Sequence, residues 1–237
     1  MRIFPSGVPA SDPRGRRGAP ARVRQRANHR RQPPIADLLQ RYPAPVLHDG
    51  PSSGPHYAIL LTMTLDIGCG SRKTEPDAIG IDVSPDSAAD HVWNLDHYPW
   101  PLEDARFSRI HMSHVIEHLD DPMRAMAEVY RVAADGADVF IVTPHFSSHN
   151  SYTDPTHKRH LAAASFEYFT GRDFPSFAGS PFRFDIVDCT LTFGGNFVLD
   201  NLGRLISGAS MKWYERHAAW IFPALDIRCH LRARKQP

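Results

Sequence analysis

The sequence predicts an α/β fold built on a mostly parallel sheet. From residue 57 onward short apolar runs alternate with helical stretches, the pattern of strands joined by crossovers. Two late runs, Phe184–Phe193 and Leu225–Ala233, alternate in polarity instead, as an antiparallel pair at a sheet edge does. A chain of 237 residues, 42% hydrophobic, is long enough for one such domain with a substantial core.

The elements follow in order. Thr64-Leu-Asp-Ile is the first strand and stops at Gly68-Cys-Gly70. Ala78-Ile-Gly-Ile-Asp-Val is the second, His91-Val-Trp-Asn a brief third, and Phe107-Ser-Arg-Ile-His-Met the fourth. Only eight residues, 71–78, separate Gly70 from Ile79, so the first crossover helix is expected to be a stub. A full helix then begins with Asp120 or Asp121 as N-cap and Pro122 in the first turn. Met123, Met126, Ala127 and Tyr130 line one face, and Gly136 ends it. Ala137-Asp-Val-Phe-Ile-Val is the fifth strand. Two helices, Phe197–Ile206 and Tyr214–Phe222, lie between the two late strands.

Charge divides the chain. Residues 1–34 carry nine arginines against Asp12, a balance of +8, so the total of +1 leaves −7 for the rest. That segment holds six prolines and few large apolar side chains, and cannot bury enough surface to offset ordering. Residues 1–56 are therefore expected to be a disordered basic extension, with a short helix at Ile35–Tyr42, and residues 57–237 the folded domain. The mildly acidic body carries no nucleic-acid footprint, so no nucleic-acid partner is expected, with an RNA-binding role for the arginine-rich extension as the alternative. Cys69, Cys189 and Cys229 are odd in number and widely spaced, which argues against a disulfide framework and suits a reducing cytoplasm. The longest apolar run, near Ala58-Ile-Leu-Leu-Thr-Met, falls far short of the roughly 18 residues that span a bilayer.

Four ordered motifs at strand ends carry the chemistry, and a fifth segment follows them. Leu65-Asp66-Ile67-Gly68-Cys69-Gly70 sets an acid at the end of the first strand before a G-x-G turn, where glycine lets the backbone turn tightly and a bulky ligand approach. Gly80-Ile81-Asp82-Val83 ends the second strand in a carboxylate that can accept ribose hydroxyls. Asn94-Leu95-Asp96 follows the third. His114-Val-Ile-Glu117-His118-Leu119 with Asp121-Pro122 follows the fourth, and Glu128-x-x-Arg131-Val132 precedes Asp135-Gly136. Over residues 63–170 this series resembles the class I S-adenosylmethionine-dependent methyltransferases, of the small bacterial type 11-like branch. The resemblance implies a Rossmann-like, doubly wound, seven-stranded sheet flanked by helices, and S-adenosylmethionine as cofactor. It implies that Asp66, Gly68, Gly70, Asp82, Asn94, Leu95 and His114 bind that cofactor. Asn94 stands where the family often has Asp, and an amide can still read an adenine edge. A nicotinamide dehydrogenase is excluded because the third glycine of G-x-G-x-x-G falls on Lys73.

His114-x-x-Glu117-His118 also matches the H-x-x-E-H metallopeptidase motif. Ligands at i and i+4 need one helix face, yet the motif sits in the loop after the fourth strand, before the Pro122 helix starts. A metal-dependent hydrolase is accordingly disfavoured. The loop Pro144–His160, after the fifth strand, is rich in His, Ser, Tyr and Asp, and its Ser151-x-x-Asp154-Pro-Thr-His157-x-Arg159 resembles a segment of one bacterial branch of the family. His145 and His157 are the expected acceptor-handling catalytic residues, as bases for a hydroxyl. A metal on His145, His149 and His157 ranks second, and no metal is expected because no ligand spacing is diagnostic. Phe166, Tyr168, Phe169, Phe174, Phe177 and Phe182 supply packing, with one or two capping the acceptor pocket. The acceptor is expected to be a small-molecule or glycan hydroxyl. A non-catalytic cofactor-binding scaffold is the alternative.

Overall fold

In the computed structural model, residues 63–170, 183–194 and 196–235 are described. The basic extension, Ile35–Tyr42, and Phe174, Phe177 and Phe182 lie outside them. Seven strands form one sheet in the order β3-β2-β1-β4-β5-β7-β6. They are β1 (Thr64–Ile67), β2 (Ile79–Asp82), β3 (His91–Val92), β4 (Phe107–Ser113), β5 (Ala133–Pro144), β6 (Phe184–Leu191) and β7 (Asp226–Ala233). β1 to β5 pair in parallel, while β7 runs antiparallel to both β5 and β6. The expected doubly wound sheet with an antiparallel edge is thus present.

β1 lies inside the sheet between β2 and β4, and all four of its residues are buried. Leu65, Ile67, Ile81, Ile110, Met112, Val139 and Ile141 build the core with helix α1 (Pro122–Val132). The helix starts where expected: Asp121 is the N-cap and its Oδ1 accepts from the Arg124 amide at 3.0 Å. Its most buried residues are Ala125, Met126, Val129 and Val132, with Met123, Ala127 and Tyr130 on the flank. Full burial of Met126 and Val129 stabilises by about 1.5–3 kcal/mol each.

Gly136 does not end this helix. Helical structure stops at Val132 because Ala133 already pairs with Phe107 of β4, and Gly136 (φ +75°) lies inside β5. The first crossover differs too: among the described residues, 68–78 are turns with no helix. Side chains hold it down instead. The Glu75 carboxylate accepts from the Thr64 hydroxyl at 2.8 Å and from the Arg109 guanidinium at 3.2 Å, tying the turn to β1 and β4. Burial would raise the Glu75 pKa, but these donors and nearby His111 outweigh it and hold the carboxyl below its ordinary value.

After β5 come a short helix α2 (Asn150–Thr153) and a 3₁₀ segment, Ala163–Thr170, which buries Phe166 and Phe169. Between β6 and β7 lie α3 (Phe197–Ala209) and α4 (Met211–His217). Both begin at side-chain caps, Asn196 on the Val198 and Leu199 amides and Ser210 on the Trp213 amide. The Ser210 cap starts α4 three residues before the expected Tyr214, and turns replace the expected helical end at Phe222. No described helix is long and apolar enough to cross a membrane.

Candidate functional site

The parallel strands all end on one side of the sheet, and the motif residues collect there. Gly68 (φ +70°) and Gly70 (φ +57°) occupy the left-handed region that side-chain-bearing residues disfavour. A Cβ on Gly68 would stand 2.2 Å from Val115 Cγ2, so the loop after β4 lies directly against the glycine turn. A Cβ on Gly70 would meet nothing within 4 Å, so this stretch of backbone faces open space.

Carboxylates flank that space. Asp66 is 4% exposed, and its Oδ2 accepts from the Thr74 amide at 2.5 Å. Asp82 accepts from the Gly70 amide at 2.8 Å and from the Ser84 amide at 2.8 Å, fixing the end of β2 to the turn after β1. Asn94 takes the Asp96 amide on its Oδ1 at 2.9 Å, and Leu95 is buried with its carbonyl accepting from Trp100 Nε1 at 3.0 Å. Asp96 in turn accepts from the Asp120 amide at 2.9 Å, joining the loop after β3 to the one after β4.

A second group gathers at the ends of β4 and β5. His114 follows β4 with φ +54°, and its Nδ1 stands 3.3 Å from Oε1 of Glu117, which is 1% exposed. Glu117 Oε2 accepts from the Thr143 hydroxyl at 3.0 Å, whereas Oε1 accepts no hydrogen bond among the described residues. Burial depresses the His114 imidazole pKa, but the carboxylates of Glu117 and Asp226 outweigh it and hold it above its ordinary value. Burial pushes the Asp226 carboxyl up, partly offset by His114.

The histidines of the Pro144–His160 loop separate. His145 is fully buried: Nδ1 lies 2.7 Å from Ser147 Oγ and Nε2 lies 3.3 Å from the Glu215 carboxylate of α4. A group enclosed in this way positions the loop, so the expected catalytic base at His145 has the geometry of a structural residue. His149 is exposed. His157 is half-buried, its Nδ1 lies 3.2 Å from the Ser151 carbonyl, and its ring meets that of His118 edge-on at 4.6 Å. The set His145, His149 and His157 is therefore not assembled. What does assemble is Glu117, His118 and His157, one ligand atom from each lying within 4.8 Å of the others. The H-x-x-E-H motif points to His114 and His118 as ligands, and of these only His118 joins the cluster; His157, 39 residues beyond it in sequence, carries no spacing signal. Arg159 ties the loop down as a structural residue would, donating to the Asp120 carbonyl at 2.6 Å.

A methyltransferase-domain family model matches residues 27–177. The chain belongs to the class I S-adenosylmethionine-dependent methyltransferase family. Its fold is similar to that of the YcgJ protein from Bacillus subtilis, 15% identical over 74% of this chain and 93% of that one, with a TM-score of 0.50. A methyltransferase from Archaeoglobus fulgidus is 19% identical over 84% of this chain and 92% of that one, with a TM-score of 0.47. Among the curated proteins none matches the chain. The cofactor of the family, and of this chain, is S-adenosylmethionine.

Proposed function

We propose that the protein transfers a methyl group to an oxygen acceptor, a hydroxyl of a small molecule or glycan. Bound S-adenosylmethionine supplies a methyl carbon activated by its sulfonium leaving group. In this reading Asp66, Gly68, Gly70, Asp82, Asn94, Leu95 and His114 hold the cofactor, within a domain that begins near residue 57. Support for the fit comes from Gly70, whose backbone faces open space between the strand-end carboxylates Asp66 and Asp82. Asp66 presents negative charge where a cationic amino group can bind, and Asp82 offers oxygens to vicinal hydroxyls.

The protein's own work is then to align acceptor and cofactor and to exclude water. The observation that carries the oxygen acceptor is the polar cluster beside the glycine turn. His157, half-buried, offers an imidazole there, a group that hydrogen-bonds a hydroxyl and selects against an apolar acceptor, with the buried Glu117 beside it. His157 is the acceptor-handling group, and His145 holds its loop in place from behind.

The test is methyl transfer from radiolabelled cofactor to a panel of polyhydroxylated small molecules and glycans. O-methyl products are expected, with kcat/KM lowered about 100-fold in His157→Ala. Transfer confined to nitrogen, carbon or sulfur acceptors, or turnover indifferent to His157→Ala, would contradict the proposal.

A further inference from the structure

The cluster of Glu117, His118 and His157 is held together by backbone as well as side chain. Both the Lys158 and Arg159 amides donate to the Glu117 carbonyl, at 2.8 and 3.1 Å, which docks the Asp154–Arg159 segment onto the turn after β4. That docking brings His157 against His118 across 39 residues of sequence.

Hydrogen bonding then sets the state of each imidazole. The Thr156 hydroxyl donates to Asp154 Oδ1 at 2.6 Å, so its oxygen can only accept from His118 Nδ1, 3.0 Å away. The Thr156 carbonyl, 3.3 Å from the same nitrogen, is also only an acceptor. His118 Nδ1 therefore carries a proton. His157 Nδ1 lies 3.2 Å from the Ser151 carbonyl and carries one for the same reason. In the neutral tautomer each ring is left with a lone pair on Nε2. A backbone carbonyl or a hydroxyl holding the far nitrogen is the arrangement that orients metal-bound imidazoles.

Glu117 adds the charge. Its carboxylate is 1% exposed, Thr143 engages one oxygen, and the other accepts no hydrogen bond among the described residues. A buried carboxylate oxygen without a donor is costly unless something else compensates it. The Lys158 and Arg159 side chains serve Asp120 instead: Lys158 pairs with its carboxylate at 2.7 Å and Arg159 donates to its carbonyl. His114 Nδ1, 3.3 Å away, pairs with Oε1 when its ring is protonated, so a bound ion would take the place of His114 at this oxygen.

We infer that Glu117, His118 and His157 bind a divalent first-row transition-metal ion. Two imidazoles and one carboxylate suit such ions, and three protein ligands leave at least one position for an oxygen ligand. Ligand atoms around a tetrahedral ion stand about 3.3 Å apart, so small side-chain rotations close the set from the 4.8 Å spread of the free site. The contact between Gly68 and Val115 sets this site beside the glycine turn. The open position would then take an acceptor oxygen and lower its pKa, so that His157 would handle the acceptor through the ion rather than by a direct hydrogen bond. That last step rests on the proposed methyl-transfer reading, whereas ion binding does not.

The experiment titrates Co²⁺ and Zn²⁺ into the full chain after chelator treatment, read by calorimetry and by the visible absorption of bound Co²⁺. One ion per chain is expected at micromolar Kd or tighter. His157→Ala and Glu117→Gln should each weaken binding at least 100-fold, while exposed His149→Gln leaves it unchanged. S-adenosylmethionine affinity and circular dichroism of the variants, measured without metal, verify that they fold and test the cofactor reading on its own. Absence of binding by the intact chain, or affinity equal in all three variants, would overturn the inference. The first result would make His114 the group that compensates Glu117, and the second would place the ion on other histidines.

Discussion

At β1 and β2 the site is made by backbone: two glycines at positive φ, and amides of Gly70, Thr74 and Ser84 that fix two strand-end carboxylates. At β4 and β5 it is made by side chains that meet from distant parts of the sequence, Glu117 and His118 with His157, and His145 with Glu215. The first region works through conformation, so one added methyl group can break it. The second works through partners, so its failures should follow which partner is lost. One sheet end thus carries two kinds of site with different tolerances.

The largest expected effect separates the two glycines. Gly68→Ala combines left-handed strain with a Cβ driven into Val115, and should cost about 2–5 kcal/mol. Gly70→Ala meets open space and should cost only about 1–2 kcal/mol of strain. Denaturant unfolding of both variants checks this, and equal losses would mean that Val115 gives way easily.

Next is the contrast between histidines. His145→Ala empties a fully buried place and removes one partner each from Glu215 and Ser147, and should lose about 2–4 kcal/mol. His157→Ala, half-buried, should change stability by less than about 1 kcal/mol while turnover falls. Thermal unfolding beside the activity assay distinguishes them, and the reverse pattern would return His145 to the acceptor.

The smallest effect is on pH dependence. The Glu75 carboxyl titrates below its ordinary value, so its contribution is full above the unfolded pKa of about 4.3 and is lost as pH falls through the lower folded value. Glu75→Gln should flatten this part of the acid limb in urea unfolding between about pH 6 and pH 3. An unchanged slope would mean that the Thr64 and Arg109 contacts do not hold the crossover in solution.

The same contrast explains what was legible in the sequence. The glycine turns, Asp66 and Asp82 are local, each motif sitting within a few residues of its strand, and apolar runs place the strands themselves. The Asp121 N-cap was readable because its partner is three residues away. Gly136 misled because a glycine after a helical pattern looks like a terminator, whereas the pairing of Ala133 with Phe107 ends the helix earlier. His145 misled because polarity marks the loop as exposed, whereas the His145–Leu161 bridge and the Glu215 partner carry the ring inside. The cluster around His157 depends on backbone bonds from Lys158 and Arg159 to Glu117, which no spacing rule encodes.

The proposed cofactor site rests above all on the carboxylates beside the glycine turn. Calorimetric titration of S-adenosylmethionine into the intact chain and into Asp82→Ala tests it most directly. Micromolar binding, weakened by about 2 kcal/mol or roughly 30-fold in the variant, is the predicted result. No binding by the intact chain, or equal affinity in the two proteins, would contradict it.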